Sequence, residues 1–86
     1  NELLEITDEQ KVVLAAIIEE LEVAEDDDAY QASIFNASKA QGVKARKIFP
    51  IVYQILLGQP RGPRFGPYVG LVGKESVIKE LKKAIQ

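Results

Sequence analysis

Neither cysteine nor histidine occurs in this chain. Without them no disulfide framework or thiolate metal site can form, only carboxylates remain as metal ligands, and zinc is excluded. A Ser/His/Asp or Cys/His nucleophile system cannot be assembled either, and general acid/base work would fall to carboxylates, whose densest cluster reads as a solvated helix cap, so no catalytic residue is expected. Methionine is also absent and the chain starts at Asn1; lacking an initiator, the sequence reads as the carboxyl-terminal piece of a longer parent. No apolar run approaches the ~20 residues that cross a bilayer. The first residues lack the basic-then-apolar order of a signal peptide, so a soluble, cytoplasmic setting with no membrane partner is expected. Alternation of apolar and polar residues never persists, which leaves no strand and points to an all-α fold, a small bundle of about five helices in one domain over residues 1–86.

What the chain does have is a division of charge. The net charge of -2 conceals eleven acids against Lys11 and Lys39 in residues 1–42, a balance of -9. Residues 43–86 carry nine cations against Glu75 and Glu80, a balance of +7. Such polarity arises when both halves merely solvate helix faces, and also when one half meets a polyanion.

The helices can be placed from their punctuation. Leu3, Leu4 and Ile6 form an apolar lead-in, and Thr7 with Gln10 fits a capping box, so a helix starts at Asp8 and buries Leu14, Ile17, Ile18 and Leu21. Four consecutive acids, Glu25, Asp26, Asp27 and Asp28, break it, the last of them suited to cap the next helix. That helix spans residues 29–41, with Tyr30, Ile34 and Ala37 on one stripe, Phe35 beside it and Gly42 as a left-handed stop. A third, from residue 44 or 45 to 57, buries Ile48, Val52, Ile55 and Leu56, with Phe49, Ile51 and Tyr53 widening the stripe until Gly58. Pro50 requires either a kink or a regular part that begins near Phe49. A short helix over 67–72 and a last one over 74–85 follow, divided by Gly73.

Three of the four prolines, Pro60, Pro63 and Pro67, share one connector with Gly58, Gly62 and Gly66, and with Arg61 and Arg64. Rigid backbone and cations coincide there. Each guanidinium can hold a phosphate or a base edge through two N–H bonds. Phe65 and Tyr68 either fill the core, the commoner fate of such rings, or stack an unpaired base, and free N–H groups at the start of the Pro67 helix are suited to a phosphate. Lys44, Arg46 and Lys47 sit at the start of the central helix, where like charge opposes the dipole. They either lie over apolar neighbours or answer a polyanion, and the second is favoured. Lys74 completes this basic surface; the lysines after it read as a solvated helix face. The acids from Glu25 to Asp28 lack the spacing of a calcium loop. Gly73-Lys74 is no phosphate loop, since Tyr68 and Glu75 stand where Gly and Ser or Thr are required.

Residues 30–81 resemble the carboxyl-terminal end of the class I lysyl-tRNA synthetases. The marks are Phe49, Tyr53, the Leu-Leu-Gly of residues 56–58, the Arg-Gly-Pro-Arg of residues 61–64, and Gly66. The glutamyl- and cysteinyl-tRNA synthetases end similarly, but Tyr53 stands where they usually carry Arg and Leu57 where they tend to carry Thr, so the lysyl enzyme is favoured. The resemblance implies an anticodon-binding helical domain whose partners are the anticodon arm of a tRNA and the remainder of its synthetase. It also implies that the parent uses ATP to attach lysine to its tRNA; the class I catalytic signatures have no counterpart in these residues, and no cofactor is expected here. Arg61, Arg64, Lys44, Arg46, Lys47, Phe65, Tyr68 and Lys74 are the residues expected to contact RNA. The reading from another class is a non-catalytic helical protein-interaction domain. Its carrier-protein version lacks the required Asp-Ser at a helix start, and a DNA-binding helix-turn-helix would need a shorter connector.

Overall fold

The computed structural model describes residues 5–86; the lead-in residues Leu3 and Leu4 lie outside that range. Five helices follow one another: α1 (Asp8–Val23), α2 (Asp27–Ala40), α3 (Ala45–Leu57), α4 (Phe65–Val72) and α5 (Lys74–Ile85), with no strand among the described residues. The capping box is formed: Gln10 N–H donates to Thr7 Oγ1 at 3.1 Å and Thr7 N–H to Gln10 Oε1 at 2.9 Å. It satisfies two of the donors that a helix start leaves unpaired. Helix α1 then buries Val13, Leu14, Ile17, Ile18 and Leu21.

Two helices start earlier than their sequence pattern predicts. For α2 the capping acid is Asp26, which accepts from Ala29 N–H at 2.8 Å, and not Asp28, so the helix begins at Asp27. Any acid of the run could cap, and the earlier one lengthens the helix by two residues, about half a turn. At the other end Gly42 takes φ +70, with Val43 N–H reaching Ser38 O and Gly42 N–H reaching Lys39 O, a Schellman stop. For α4 the start is Phe65 instead of Pro67, which leaves the proline within the first turn, where its missing N–H costs little. Helix α3 begins at Ala45, so Pro50 lies inside it, and its ring nitrogen offers the Arg46 carbonyl no donor.

Helix α2 packs against α1 on one side and α3 and α4 on others, while α5 closes the bundle against α1 and α3. The core joins Leu14, Ile17 and Leu21 to Ile34, Ile48, Val52, Phe65, Val69, Val77 and Leu81. Ile55 and Leu56, expected in that core, are only partly buried at its margin. Helix α4 approaches the start of α2 closely. A Cβ on Gly66 would run into the Asp27 carbonyl oxygen and Gln31, and one on Gly70 into the Asp27 carboxylate. Glycine at both positions lets the backbones meet, and Gly66 N–H donates to Gln31 Oε1 at 2.7 Å.

Candidate nucleic-acid interface

The connector between α3 and α4, residues 58–64, has no helix of its own but is fastened at several points. Gly58, at φ +75, turns the chain out of α3. Tyr53 Oη donates to the Pro63 carbonyl oxygen, and Gln59 Nε2 donates to Arg61 O at 3.0 Å. Gly62 lies flat on α3: a Cβ there would stand 2.5 Å from Leu57 Cδ1 and 2.8 Å from Tyr53 Cδ1. The Arg-Gly-Pro-Arg turn is thus folded back over Tyr53 and Leu57, and both arginines are exposed. Neither has an ion-pair partner among the described residues. A side chain with no internal use, on a backbone held at both ends, loses little further freedom when it grips an anion.

Lys44, Arg46 and Lys47 are exposed at the start of α3, whose first turn holds no acid and whose Lys44 cap makes no side-chain bond. They too lack ion-pair partners among the described residues. Three cations at the positive end of a helix dipole repel it and one another, and an external polyanion would relieve that.

Other expected contacts are used by the fold instead. Phe65 is fully buried (0% exposed) as the bulkiest of the enclosed core side chains, so no base can stack on it. Tyr68 is half-buried, packed against the same core. Lys74 is committed internally: its ammonium donates to Glu22 O at 3.0 Å and Ala24 O at 2.7 Å. Helix α1 has no basic residue in its last turn, and Lys74 supplies the missing cation from the far end of the chain, an interaction of about 0.3–1 kcal/mol. Nor is the start of α4 open to a phosphate at Gly66, whose N–H is taken by Gln31.

The structure adds residues that the sequence pattern assigned to core. Phe35 on α2 meets Phe49 on α3 edge to face, ring centroids 5.3 Å apart, and Phe49 stacks on Tyr53 at 6.2 Å and 24°. This ladder ends at the hydroxyl that holds the connector. Its signal was present in the 3- and 4-residue spacing of Arg46, Phe49, Tyr53 and Leu57, a second stripe on α3 beside that of Ile48 and Val52.

Burial raises the Tyr53 hydroxyl above its ordinary value of 10.0 by desolvating the phenolate. Because the folded pKa exceeds the unfolded one, the associated stability is fully present below pH 10 and is lost as pH rises through the folded value. Tyr53→Phe should remove this alkaline destabilisation and cost about 1 kcal/mol at neutral pH by orphaning the Pro63 carbonyl. Thermal melts at pH 8 and at stepwise higher pH check both; equal alkaline loss in the variant would contradict the assignment.

Among the described residues no group of three acidic side chains is placed to hold a metal, and no helix is long and apolar enough to cross a membrane. The family model described as "Anticodon binding domain" matches residues 2–85. Among curated proteins the chain is 35% identical over 74 residues to the lysine–tRNA ligase of Cenarchaeum symbiosum, covering 86% of this chain and 14% of that protein. It is likewise 35% identical over 81 residues to that of Methanosphaera stadtmanae, covering 92% and 15%. A bacterial lysine–tRNA ligase, from Rickettsia conorii, is 34% identical over 84 residues, 93% of this chain and 15% of that protein. The chain therefore spans about one seventh of the length of these relatives. No solved structure matches it significantly.

Proposed function

The chain belongs to the anticodon binding domain family, and we propose that it holds the anticodon arm of a lysine tRNA as the carboxyl-terminal domain of a class I lysyl-tRNA synthetase. The observation that carries the reading is the fastened connector with its two exposed, unpaired arginines. Arg61 and Arg64 grip phosphates or base edges, and Lys44, Arg46 and Lys47 extend the same positive field along α3. Phosphate contacts set the register of the arm, and edge contacts to splayed bases read it. The parent would supply the ATP-dependent attachment of lysine, in the cytoplasm, through residues beyond this chain. The lysine–tRNA ligases named above support lysine over the glutamyl and cysteinyl alternatives.

A second surface supports a docking role beside the first. Val23 and Leu71 are 79% and 85% exposed and Val72 is 40% exposed. The Lys74 bonds bring the end of α1 to the joint between α4 and α5, so these side chains flank one seam. Such a seam fits contact with the remainder of the synthetase.

Titrating the domain with a stem-loop carrying a lysine anticodon, at two salt concentrations, tests the RNA reading. Affinity should fall with salt at a log–log slope of about 0.7 per phosphate contact. No binding, or binding without salt dependence, would reject it; retention of proteins after nuclease treatment would favour docking alone.

A further inference from the structure

We propose that Phe35 is the platform on which one unpaired base of the bound RNA stacks. The inference rests on the anticodon-arm reading and names a recognition residue within it. Phe35 is 50% exposed, yet its ring is not a loose surface side chain, for Phe49 supports it edge to face at 5.3 Å. That contact engages part of the ring and leaves apolar surface open to solvent. Scattered exposed apolar residues are ordinary on any protein. This one differs in what stands around it.

Helical spacing puts Lys39 one turn beyond Phe35 on α2, and Arg46 one turn before Phe49 on α3. Both cations are exposed and neither has an ion-pair partner among the described residues. At the other end of the ladder, Tyr53 anchors the connector that carries Arg61 and Arg64. The aromatic ladder therefore runs between two groups of positive charge, Lys39 and Arg46 near the start of α3 and Arg61 and Arg64 on the connector folded over Tyr53 and Leu57. An anion flanking an apolar, planar group fits both parts of this surface. A single-stranded nucleotide has that composition, its base presenting a π-face and its phosphate a charge. An apolar peptide would leave the cations unanswered, and a simple anion would leave the ring unused.

The same arrangement accounts for why Phe65 and Tyr68, adjacent to the arginines in sequence, are not needed as platforms. The base is received across the helix pair, and the connector holds the backbone. Helix α3 links the two through Phe49 and Tyr53.

The test uses the intact chain and an anticodon stem-loop with 2-aminopurine at each unpaired loop position in turn. The wild-type domain should quench one position on binding. Phe35→Leu, which keeps apolar contact with Phe49 but lacks a π-face, should abolish that quench and weaken binding about tenfold, within the range measured for base–aromatic stacking. Its salt slope should be unchanged, because no phosphate contact is lost. Phe35→Trp should restore both signals. Wild-type binding with a quench that persists in Phe35→Leu would overturn this assignment and leave the anticodon-arm reading standing; no binding by the wild type would overturn both.

Discussion

Phe65→Ala is expected to lower the melting temperature of the domain by roughly 10–40 °C, a cost of about 3–5 kcal/mol at about 4–8 °C for each kcal/mol. The side chain is the bulkiest of the fully enclosed residues and sits where α4 enters the bundle. Truncating such a phenylalanine typically costs about 3–5 kcal/mol, from lost transfer energy and the cavity left behind. A chain of this length is held by roughly 4–13 kcal/mol in all, so one residue accounts for a large share. Phe65→Leu should cost less and fold. Circular dichroism melts separate the two variants, and RNA affinity should track the folded fraction alone. A well-folded Phe65→Ala that had lost RNA binding would instead make the ring a recognition group, against its burial.

The opposite signature is expected of Arg61→Ala combined with Arg64→Ala. Both side chains are exposed and lack ion-pair partners among the described residues, so helicity should be unchanged and stability should stay within about 0.5 kcal/mol of the wild type. Anticodon stem-loop affinity should fall about 10-fold or more, since a single charge-assisted contact is worth about 1.5–3 kcal/mol after solvent exchange. If both contact phosphate, the salt slope should also fall by about 1.4, from 0.7 per contact. Lysine replacements sharpen the result. They keep the charge, and therefore the slope, but lose the two-pronged geometry, so a loss of discrimination between loops with unchanged slope would place an arginine on a base edge. Unchanged affinity in the double alanine variant would remove the connector from the interface.

The two experiments turn on neighbours in sequence, Arg64 and Phe65, whose fates are opposite. Their order along the chain suggested a single cationic and aromatic unit. Helix α4 separates them: Phe65 is its first residue and faces the core, whereas Arg64 is the cap and faces water. Lys74 likewise belonged by charge with the other cations, but its ammonium bonds two carbonyls at the end of α1, about fifty residues away in sequence. Conversely, Phe35 and Phe49 looked like the margins of buried stripes, and their contact across α2 and α3 turns them into a surface.

Local chemistry was enough for everything that depends on near neighbours. The capping box at Thr7, the left-handed stops at Gly42 and Gly58, the bounds of α5 and the all-α class follow from backbone donors, φ preferences and a 3.6-residue period. The early starts of α2 and α4 escaped because several residues could begin each helix, and Asp27, Gln31 and Gly66 meet only once the bundle is assembled. The reversal of charge at residue 43 and the two arginines of the connector were legible as a cationic surface before any contact was known. Which cations remain free to hold an anion, and which ring stays open to a base, depended on contacts between distant residues, because burial and hydrogen bonding across the bundle are not properties of any one stretch of chain.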